Sequence, residues 1–333
     1  MAQISNTFET FDATGIREEL ADRIYKITPE ETPFLSLIGH SPIKTTHPEW
    51  QTDTLATPDT ANNQPEGNDW TYSAITATTR IGNYTQISEK PWLISRTQEN
   101  TSKAGRKSEL ARETAKKTTE LKIDMEVIAL ANQASSAGSG NGATNRTAAG
   151  MRAWLTTNDD LGATGSSGSF SNGIQSAATN GTQRAVTKAL IDSVMLSTVN
   201  AGGKPKVCML SNYNKQVVSR FLDDADVVPL RKEVGSGAAK IIGAADSYLT
   251  DFGLLTFVPN VQMTRAGAGI ARNVFLIDPD MVTLGVFDDI QIHKPAKTGD
   301  AEKRVANVEW TLIMNNEAAH GVIADTYGLS ASS

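Results

Sequence analysis

The sequence predicts an α+β chain of two lobes with projecting parts, and three observations carry that expectation. Thr101 to Gln133 contains no proline and a single early glycine, Gly105, which reads as one long helix. Before it, Thr45 to Ile94 reads as one long hairpin around a turn-dense centre. After residue 183, short helical patterns alternate with strand-like runs, as a mixed lobe of helix and sheet requires.

The chain has 333 residues, enough for two ordinary domains or one elaborate one, so a peptide or a disulfide knot is excluded. With 39% hydrophobic and 20% charged residues it should fold. The single cysteine, Cys208, can form no internal disulfide, so stability must come from packing, hydrogen bonds or assembly, and a reducing compartment fits. Met1-Ala2-Gln3-Ile4-Ser5-Asn6 has no cationic head leading into an apolar stretch, and no run approaches the roughly 18 apolar residues of a membrane span. No membrane partner is expected, and the Asn-x-Ser/Thr triplets at Asn83, Asn100, Asn145 and Asn180 carry no meaning without a secretory route.

A formal net charge of -6 argues against a dedicated nucleic-acid binder, which needs a clustered basic surplus. The charge is unevenly placed. Residues 1 to 60 hold ten acids against four bases, whereas residues 96 to 122 hold eight bases against four acids.

Taken in order, Gly15 to Ile27 predicts a short helix with Ile16, Leu20 and Ile24 on one stripe, too short to be stable alone. Phe34, Leu35, Leu37 and Ile38, between Pro33 and Gly39, form an apolar plug, so this segment reads as an arm that docks on something. In the hairpin, Ile81, Asn83, Thr85 and Ile87 alternate with Arg80, Gly82, Tyr84 and Gln86, and neither face is apolar enough for a core. An isolated two-stranded ribbon is marginal in water, so this one calls for another molecule to satisfy it, unless it is a surface flap on an enzyme.

The helix from Thr101 to Gln133 would be about 50 Å long. Leu110, Leu121, Met125 and Ile128 lie on one stripe, while the first two-thirds are charged nearly all round, with Glu113-Lys117 and Lys116-Glu120 at i,i+4. It reads as a strut buried on one side near its end. Residues 135 to 182, with nine glycines, read as exposed loops around the anchored patch Gly150 to Leu155. A helix at Thr187 to Val199, a strand at Lys206 to Leu210 and a helix at Asn214 to Leu222 follow. Further strands are expected at Ser247 to Val258, Val274 to Ile277, Thr283 to Phe287, Arg304 to Met314 and Ala318 to Tyr327.

Catalytic motifs are absent. Gly203-Lys204 runs into Pro205, so no phosphate cradle follows. Gly138-Ser139-Gly140-Asn141-Gly142 follows a helix, the wrong context for a dinucleotide turn. Gly165-Ser166-Ser167-Gly168 lacks the spacing of a nucleophile elbow. His40, His47, His293 and His320 offer no i,i+4 pair for zinc. Cys208 sits between Val207 and Met209 and reads as a buried, inert thiol, and Asp278-Pro279-Asp280 reads as a turn. Catalytic, cofactor-binding and metal residues are therefore all expected to be none.

An acidic arm, a long ribbon, a strut helix, a glycine-rich connection and a late α/β lobe resemble the order of parts in major capsid proteins of tailed bacteriophages, whose fold is the Hong Kong 97 type. More specific motifs are similar to the SU-ten-type major head protein family. These are Gly202-Gly203-Lys204-Pro205 with Val207-Cys208-Met209-Leu210, Tyr248-Leu249-Thr250-Asp251-Phe252-Gly253 and Phe275-Leu276-Ile277-Asp278. Ala296-Lys297-Thr298-Gly299-Asp300-Ala301 and Glu309-Trp310-Thr311-Leu312 before Asn316-Glu317-Ala318-Ala319 complete the set, and the similarity runs nearly the whole chain.

The resemblance implies an N-terminal arm at 1–44 and an E-loop at 45–94. It implies a P-domain spine helix with Gly/Ser-rich loops at 95–182, an A-domain at 183–285 and P-domain C-terminal strands at 286–333. It implies a structural protein, not an enzyme, without cofactors, assembling with itself into hexamers and pentamers of an icosahedral shell. That shell would enclose double-stranded DNA held by weak nonspecific contact, form in the host cytoplasm and belong to the virion. A portal and a decoration protein are further implied partners. The E-loop would lie over a neighbour, and the acidic arm and loop root would meet a neighbour's basic helix. Contact candidates are Phe34, Glu49, Trp50, Asp53, Trp70, Arg106, Lys107, Arg112 and Lys116.

Two departures qualify the resemblance. Only about 44 residues precede the E-loop, which favours a separate scaffolding protein over a built-in one, and Thr45 to Glu89 contains no lysine for an isopeptide cross-link. The competing readings are a hydrolase or transferase with a flexible hairpin lid, and an adhesin or tail-sheath component.

Overall fold

The computed structural model describes residue 24 and residues 26–221 and 246–332. The chain enters through α1 (Pro33–Leu37) and β1 (Gly39–Pro42), then β2 (Glu49–Thr52), β3 (Thr79–Gly82) and β4 (Gln86–Ser95). The helices α2 (Arg96–Asn100), α3 (Glu109–Leu130) and α4 (Met151–Trp154) follow, with three two-residue strands, β5 (Asp159–Asp160), β6 (Phe170–Ser171) and β7 (Ile174–Gln175). Next come α5 (Lys188–Asn200), β8 (Val207–Leu210), α6 (Asn212–Arg220), β9 (Ser247–Thr250) and β10 (Gly253–Pro259). The chain closes with α7 (Val261–Arg265), α8 (Ala268–Ala271), β11 (Val274–Ile277), β12 (Val282–His293), β13 (Ala301–Met314) and β14 (Gly321–Ile323).

Two sheets organise these elements. One has the order β1-β12-β13-β4, built on the long β12–β13 antiparallel pair, with β1 added parallel to β12. The other has the order β5-β14-β11-β8-β10-β9 and mixes parallel and antiparallel neighbours. On the first sheet, Trp92, Ile94, Ala306, Val308, Trp310 and Leu312 share a core with Leu121, Met125, Ala129 and Leu130 of α3. The second sheet is a partition between two cores. Met209, Phe275 and Ile277 join the α3 core, while Cys208, Leu210, Val274 and Leu276 join a separate cluster with Ile191, Val194 and Met195 of α5. Alternate side chains of a strand point to opposite faces, so burial on both sides explains why β8 and β11 are continuously apolar.

The apolar plug docks on its own chain. Pro33 opens α1 without an N–H to satisfy, and the next two, of Phe34 and Leu35, donate to the carboxylate of Glu126 at 2.8 Å each. Asn260 Nδ2 donates to the same carboxylate at 2.7 Å while its Oδ1 caps α7 through Gln262 N and Met263 N. One buried acid thus ties the arm, α3 and α7 together. Burial pushes the Glu126 carboxyl above its ordinary range, against the pull of these three donors.

Several expected boundaries change. The long helix begins at Glu109, which makes it about 33 Å long. The reason is a competing cap: Ser108 accepts from Ala111 N, and the Glu99 carboxylate accepts from Ser108 Oγ, Glu109 N and Leu110 N at 2.7, 3.0 and 3.2 Å. The hairpin from Thr45 to Ile94 pairs only where β2 meets β3, from Glu49↔Gly82 to Thr52↔Thr79. Its second flank leaves as β4, which pairs with β13 from Gln86↔Trp310 to Ser95↔Ala301. Asp251 and Phe252 break the strand expected at Ser247 to Val258 into β9 and β10, and the one expected at Ala318 to Tyr327 shrinks to β14. Of the helix expected at Gly15 to Ile27, residues 24, 26 and 27 are irregular, and the remainder lies outside the described residues.

Two glycines are required by geometry. Asn172 (φ 51°) and Gly173 (φ 77°) make the two-residue turn between β6 and β7, whose matching twist needs positive φ at both. A Cβ on Gly150 would stand 2.2 Å from Ala131 O, so only glycine lets α4 start against the end of α3.

Candidate assembly surface

Between β2 and β3 the chain runs from Asp53 to Thr78 without regular structure. This loop carries four large apolar side chains turned to solvent: Leu55 (99% exposed), Trp70 (79%), Tyr72 (87%) and Ile75 (98%). Scattered exposed apolar residues are ordinary, but four on one projecting loop make a surface that water alone does not explain. A second open face, only partly apolar, lies on the sheet. Ile87, Pro91 and Leu93 on β4 point away from α3 and are exposed, sharing that face with exposed Glu89 and with Glu309, Asn307, Val305 and Lys303 opposite them on β13.

The root of the loop is held firmly. Trp50 packs against Trp154 with ring centroids 5.7 Å apart, and Trp154 stacks on Phe170 at 5.7 Å. His47 stacks on Tyr84 at 4.1 Å, and Arg80 Nε reaches Glu49 Oε1 at 3.0 Å across the ribbon. Beyond β3, Asn83 and Thr85 are fully buried rather than lining a polar ribbon. Asn83 Nδ2 donates to Leu312 O at 2.8 Å and Ala149 O at 3.2 Å, and its Oδ1 accepts from Ala149 N at 2.8 Å. Thr85 Oγ1 donates to Glu309 Oε1 at 2.6 Å, and Arg146 binds both Thr85 O and Glu309. These fully used polar groups are why the loop can project without unravelling the sheet.

The contact candidates separate into three groups. Phe34 is a correction: it is wholly buried in its own chain, because Glu126 draws α1 into the α3 core, and no neighbour can reach its side chain. Trp50 is half-buried on its own core and anchors the loop root. Trp70 stands out on the loop, Asp53 is exposed at its start, and Glu49 is engaged by Arg80.

The basic stretch is largely satisfied within its own helix region. Arg106 pairs with Glu109, Arg112 with Glu109 at 2.7 Å and Glu113 at 2.9 Å, and Lys116 approaches Glu120 at 3.8 Å. Hydrogen bonding from Arg106 leads the causes that hold the Glu109 carboxyl below its usual range. Lys107 is exposed, and no ion pair is seen for it among the described residues. Of the two i,i+4 pairs expected, Lys116–Glu120 forms, whereas Glu113 is taken by Arg112 and Lys117 by Glu120 at 2.8 Å.

No arrangement for chemistry emerges among the described residues. Cys208 is fully buried and burial pushes its thiol up, away from reactivity. His320 is buried and driven down to about 4 by desolvation, accepting from Asp278 N at Nδ1. Among the described residues, no group of three or more His, Cys, Asp or Glu is placed to hold a metal, and no helix is long and apolar enough to cross a membrane.

Comparison with known proteins completes the description. The family model for the SU10 major capsid protein matches residues 3–327. The major capsid protein of Escherichia phage Phieco32 is 36% identical over 127 residues, a match covering 38% of this chain and 36% of that protein. Thus the chain spans about a third of the length of the curated relative it matches. Among solved structures, a chain from Gordonia phage Cozz has a TM-score of 0.64 at 14% identity, covering 99% of this chain and 97% of that one. One from Mycobacterium phage Bobi scores 0.55 at 12% identity, covering 94% and 96%. The capsid of a native GTA particle computed with C5 symmetry scores 0.58 at 13% identity, covering 95% and 97%. At these identities the structures speak for the fold alone.

Proposed function

Because this chain belongs to the SU10 major capsid protein family, we propose that its projecting loop is completed by a neighbouring copy, and that copies so joined build the hexamers and pentamers of an icosahedral shell. The protein is a major capsid protein with a Hong Kong 97-like fold and is structural, not enzymatic; the reading as a hydrolase or transferase with a hairpin lid falls with the family assignment. One observation carries the assembly proposal: a projecting loop with Leu55, Trp70, Tyr72 and Ile75 in solvent, four large apolar side chains that their own chain leaves uncovered.

In this reading residues 1–44 are the arm, 45–94 the E-loop, 95–182 the spine helix and its loops, 183–285 the A-domain and 286–333 the closing strands. Trp70 supplies apolar contact, with Glu49, Asp53, Lys107, Arg112 and Lys116 at the rim, where each exposed pair is worth about 1 kcal/mol or less. A separate scaffolding protein, a portal and a decoration protein are the further partners, assembly takes place in the host cytoplasm, and the packaged double-stranded DNA is contacted weakly and without sequence preference.

The test is to delete residues 57–69 and image the purified protein by electron microscopy beside the full chain. The full chain should form capsomers or closed shells, and the deletion should leave a folded subunit that assembles poorly. Normal shells from the deletion, or a compact monomer from the full chain at high concentration, would overturn the proposal.

A further inference from the structure

Gly138-Ser139-Gly140-Asn141-Gly142, which has the wrong context for a dinucleotide turn, lies at the tip of a loop beyond α3. The loop is closed by the Ser136↔Thr147 bridge and by Ser139 N donating to Thr144 O at 2.9 Å. Residues 139–145 are all exposed. Here Asn141 precedes Gly142, the one residue type that sets no side chain beside its own amide nitrogen.

The side-chain amide of Asn141 is held in a defined way. Its Oδ1 accepts from Ser139 Oγ at 2.7 Å and from Ala143 N at 3.1 Å. Because Ala143 N can only donate, the amide oxygen and not its nitrogen stands at this point. Ser139 Oγ in turn accepts from Thr144 N at 2.8 Å, which directs its own proton to Asn141. Two donors thus converge on one amide oxygen, the atom on which negative charge develops when the amide carbon is attacked. The attacker is one residue away: Gly142 N belongs to a residue at φ 72° with nothing within 4 Å of the place a Cβ would take.

We propose that Asn141 is a site of spontaneous covalent modification, in which Gly142 N attacks the Asn141 side-chain amide and ammonia is lost. A bond forms between Gly142 N and Asn141 Cγ, and the Cγ–Nδ2 bond breaks. The proton of Gly142 N passes to water, Nδ2 takes one up from water, and a cyclic imide and ammonia result. One water molecule then opens the imide at either carbonyl, which gives aspartate or isoaspartate at position 141. Water is the only co-reactant. Gly142 N–H donates to Ser139 O at 3.1 Å, so its proton has to be drawn away and the rate rises with pH. The product adds a negative charge to a chain already at -6, and the isoaspartyl form lengthens the main chain by one carbon at the Gly142-to-Ser139 turn.

Two further Asn-Gly pairs, at Asn172 and Asn180, are placed less favourably. Asn172-Gly173 is the turn of the β6–β7 hairpin, held by the pairing of Ser171 with Ile174. Gly181 is wedged in its own chain: a Cβ there would stand 2.6 Å from Gly162 O and 2.7 Å from Ala163 O, and Gly181 O accepts from Arg272 Nη2 at 2.6 Å. Among the described residues, no donor reaches the side-chain oxygen of Asn172 or Asn180, as two reach that of Asn141.

The test incubates the full chain at mildly alkaline pH and body temperature and follows its peptides by mass spectrometry over days. Asn141 should gain about one mass unit in ordinary water and about three in water enriched in oxygen-18, because the opening water stays in the product. Its rate should exceed those of Asn172 and Asn180 by about tenfold, as a freely placed attacker and a polarised amide require. Ser139→Ala removes one of the two donors and should slow the reaction by about fivefold, the kinetic worth of an ordinary hydrogen bond. Ser139→Thr keeps the hydroxyl and should keep the rate. In denaturant the natural chain and Ser139→Ala should react equally fast, because only the folded loop places the donor. Equal rates at the three Asn-Gly pairs, an unchanged rate in folded Ser139→Ala, or the same slowing in the unfolded variant would each overturn the proposal.

Discussion

His320 shows how a single buried side chain can be read for its proton. Its Nδ1 accepts from Asp278 N at 3.2 Å and its Nε2 faces Met281 O at 3.5 Å, so the ring is held neutral with the proton on Nε2. Protonation would break the first bond and charge a buried group, which is why desolvation lowers its pKa to about 4. The unfolded chain takes up a proton near the ordinary value and the folded chain does not. Stability from this residue is therefore intact above about pH 6.5 and is lost as pH falls toward 4, to a total of about 3 kcal/mol. Denaturant titrations from pH 7 to pH 4 should show a shallower decline in His320→Gln than in the natural chain; equal slopes would refute the assignment. Glu126 makes the complementary case. Glu126→Gln keeps the shape but leaves one acceptor oxygen for three donors, so unfolding at pH 7 should be easier by about 1 to 3 kcal/mol. Both residues were invisible as special in the sequence, where a lone acid on a charged helix and a lone histidine carry no distinguishing pattern.

Elements fared according to how local their causes are. The helix expected at Thr187 to Val199 is found at Lys188–Asn200 with Thr187 as its cap, and Val274–Ile277 is a strand as read, because caps and apolar runs act over a few residues. The ribbon was misjudged at its second flank because β4 pairs with β13 some 220 residues later, and no local pattern contains that partner. The two tryptophans of the loop should separate on mutation. Trp50→Ala removes packing on Trp154 and the core, and should destabilise the subunit by about 2 to 4 kcal/mol in chemical denaturation. Trp70→Ala removes nothing buried within the chain, so subunit stability should stay within about 0.5 kcal/mol. Under the assembly proposal, the Trp70 variant should instead raise the protein concentration needed for particles in light scattering, by several-fold. An unchanged threshold would show that Trp70 serves no neighbour.

At the scale of the whole molecule, the expectation is that copies are held together without covalent links, because the loop offers no lysine for one. Lys90 is paired with Asp124, Lys44 is exposed at the loop root, no lysine lies from Thr45 to Glu89, and Cys208 is sealed in β8. Particles boiled in denaturant and reductant should run as one band at the subunit mass, and a persistent ladder of multimers would disprove this. What the sequence by itself determined is what short-range chemistry encodes: the mixed α and β class, most helix and strand positions, the inert Cys208, and the motifs in order that resemble a capsid family. Only the tertiary structure decided that Phe34 faces inward, that Glu126 holds three elements at once, that Asn83 and Thr85 are core residues, and that most bases of the basic stretch are paired with acids of their own chain, several sharing one carboxylate. The physical reason is the same in each case. A side chain's hydrophobicity and charge are properties of the residue, but burial, hydrogen-bond partners and free charge belong to pairs, and the partner of Phe34 lies 92 residues away along the chain.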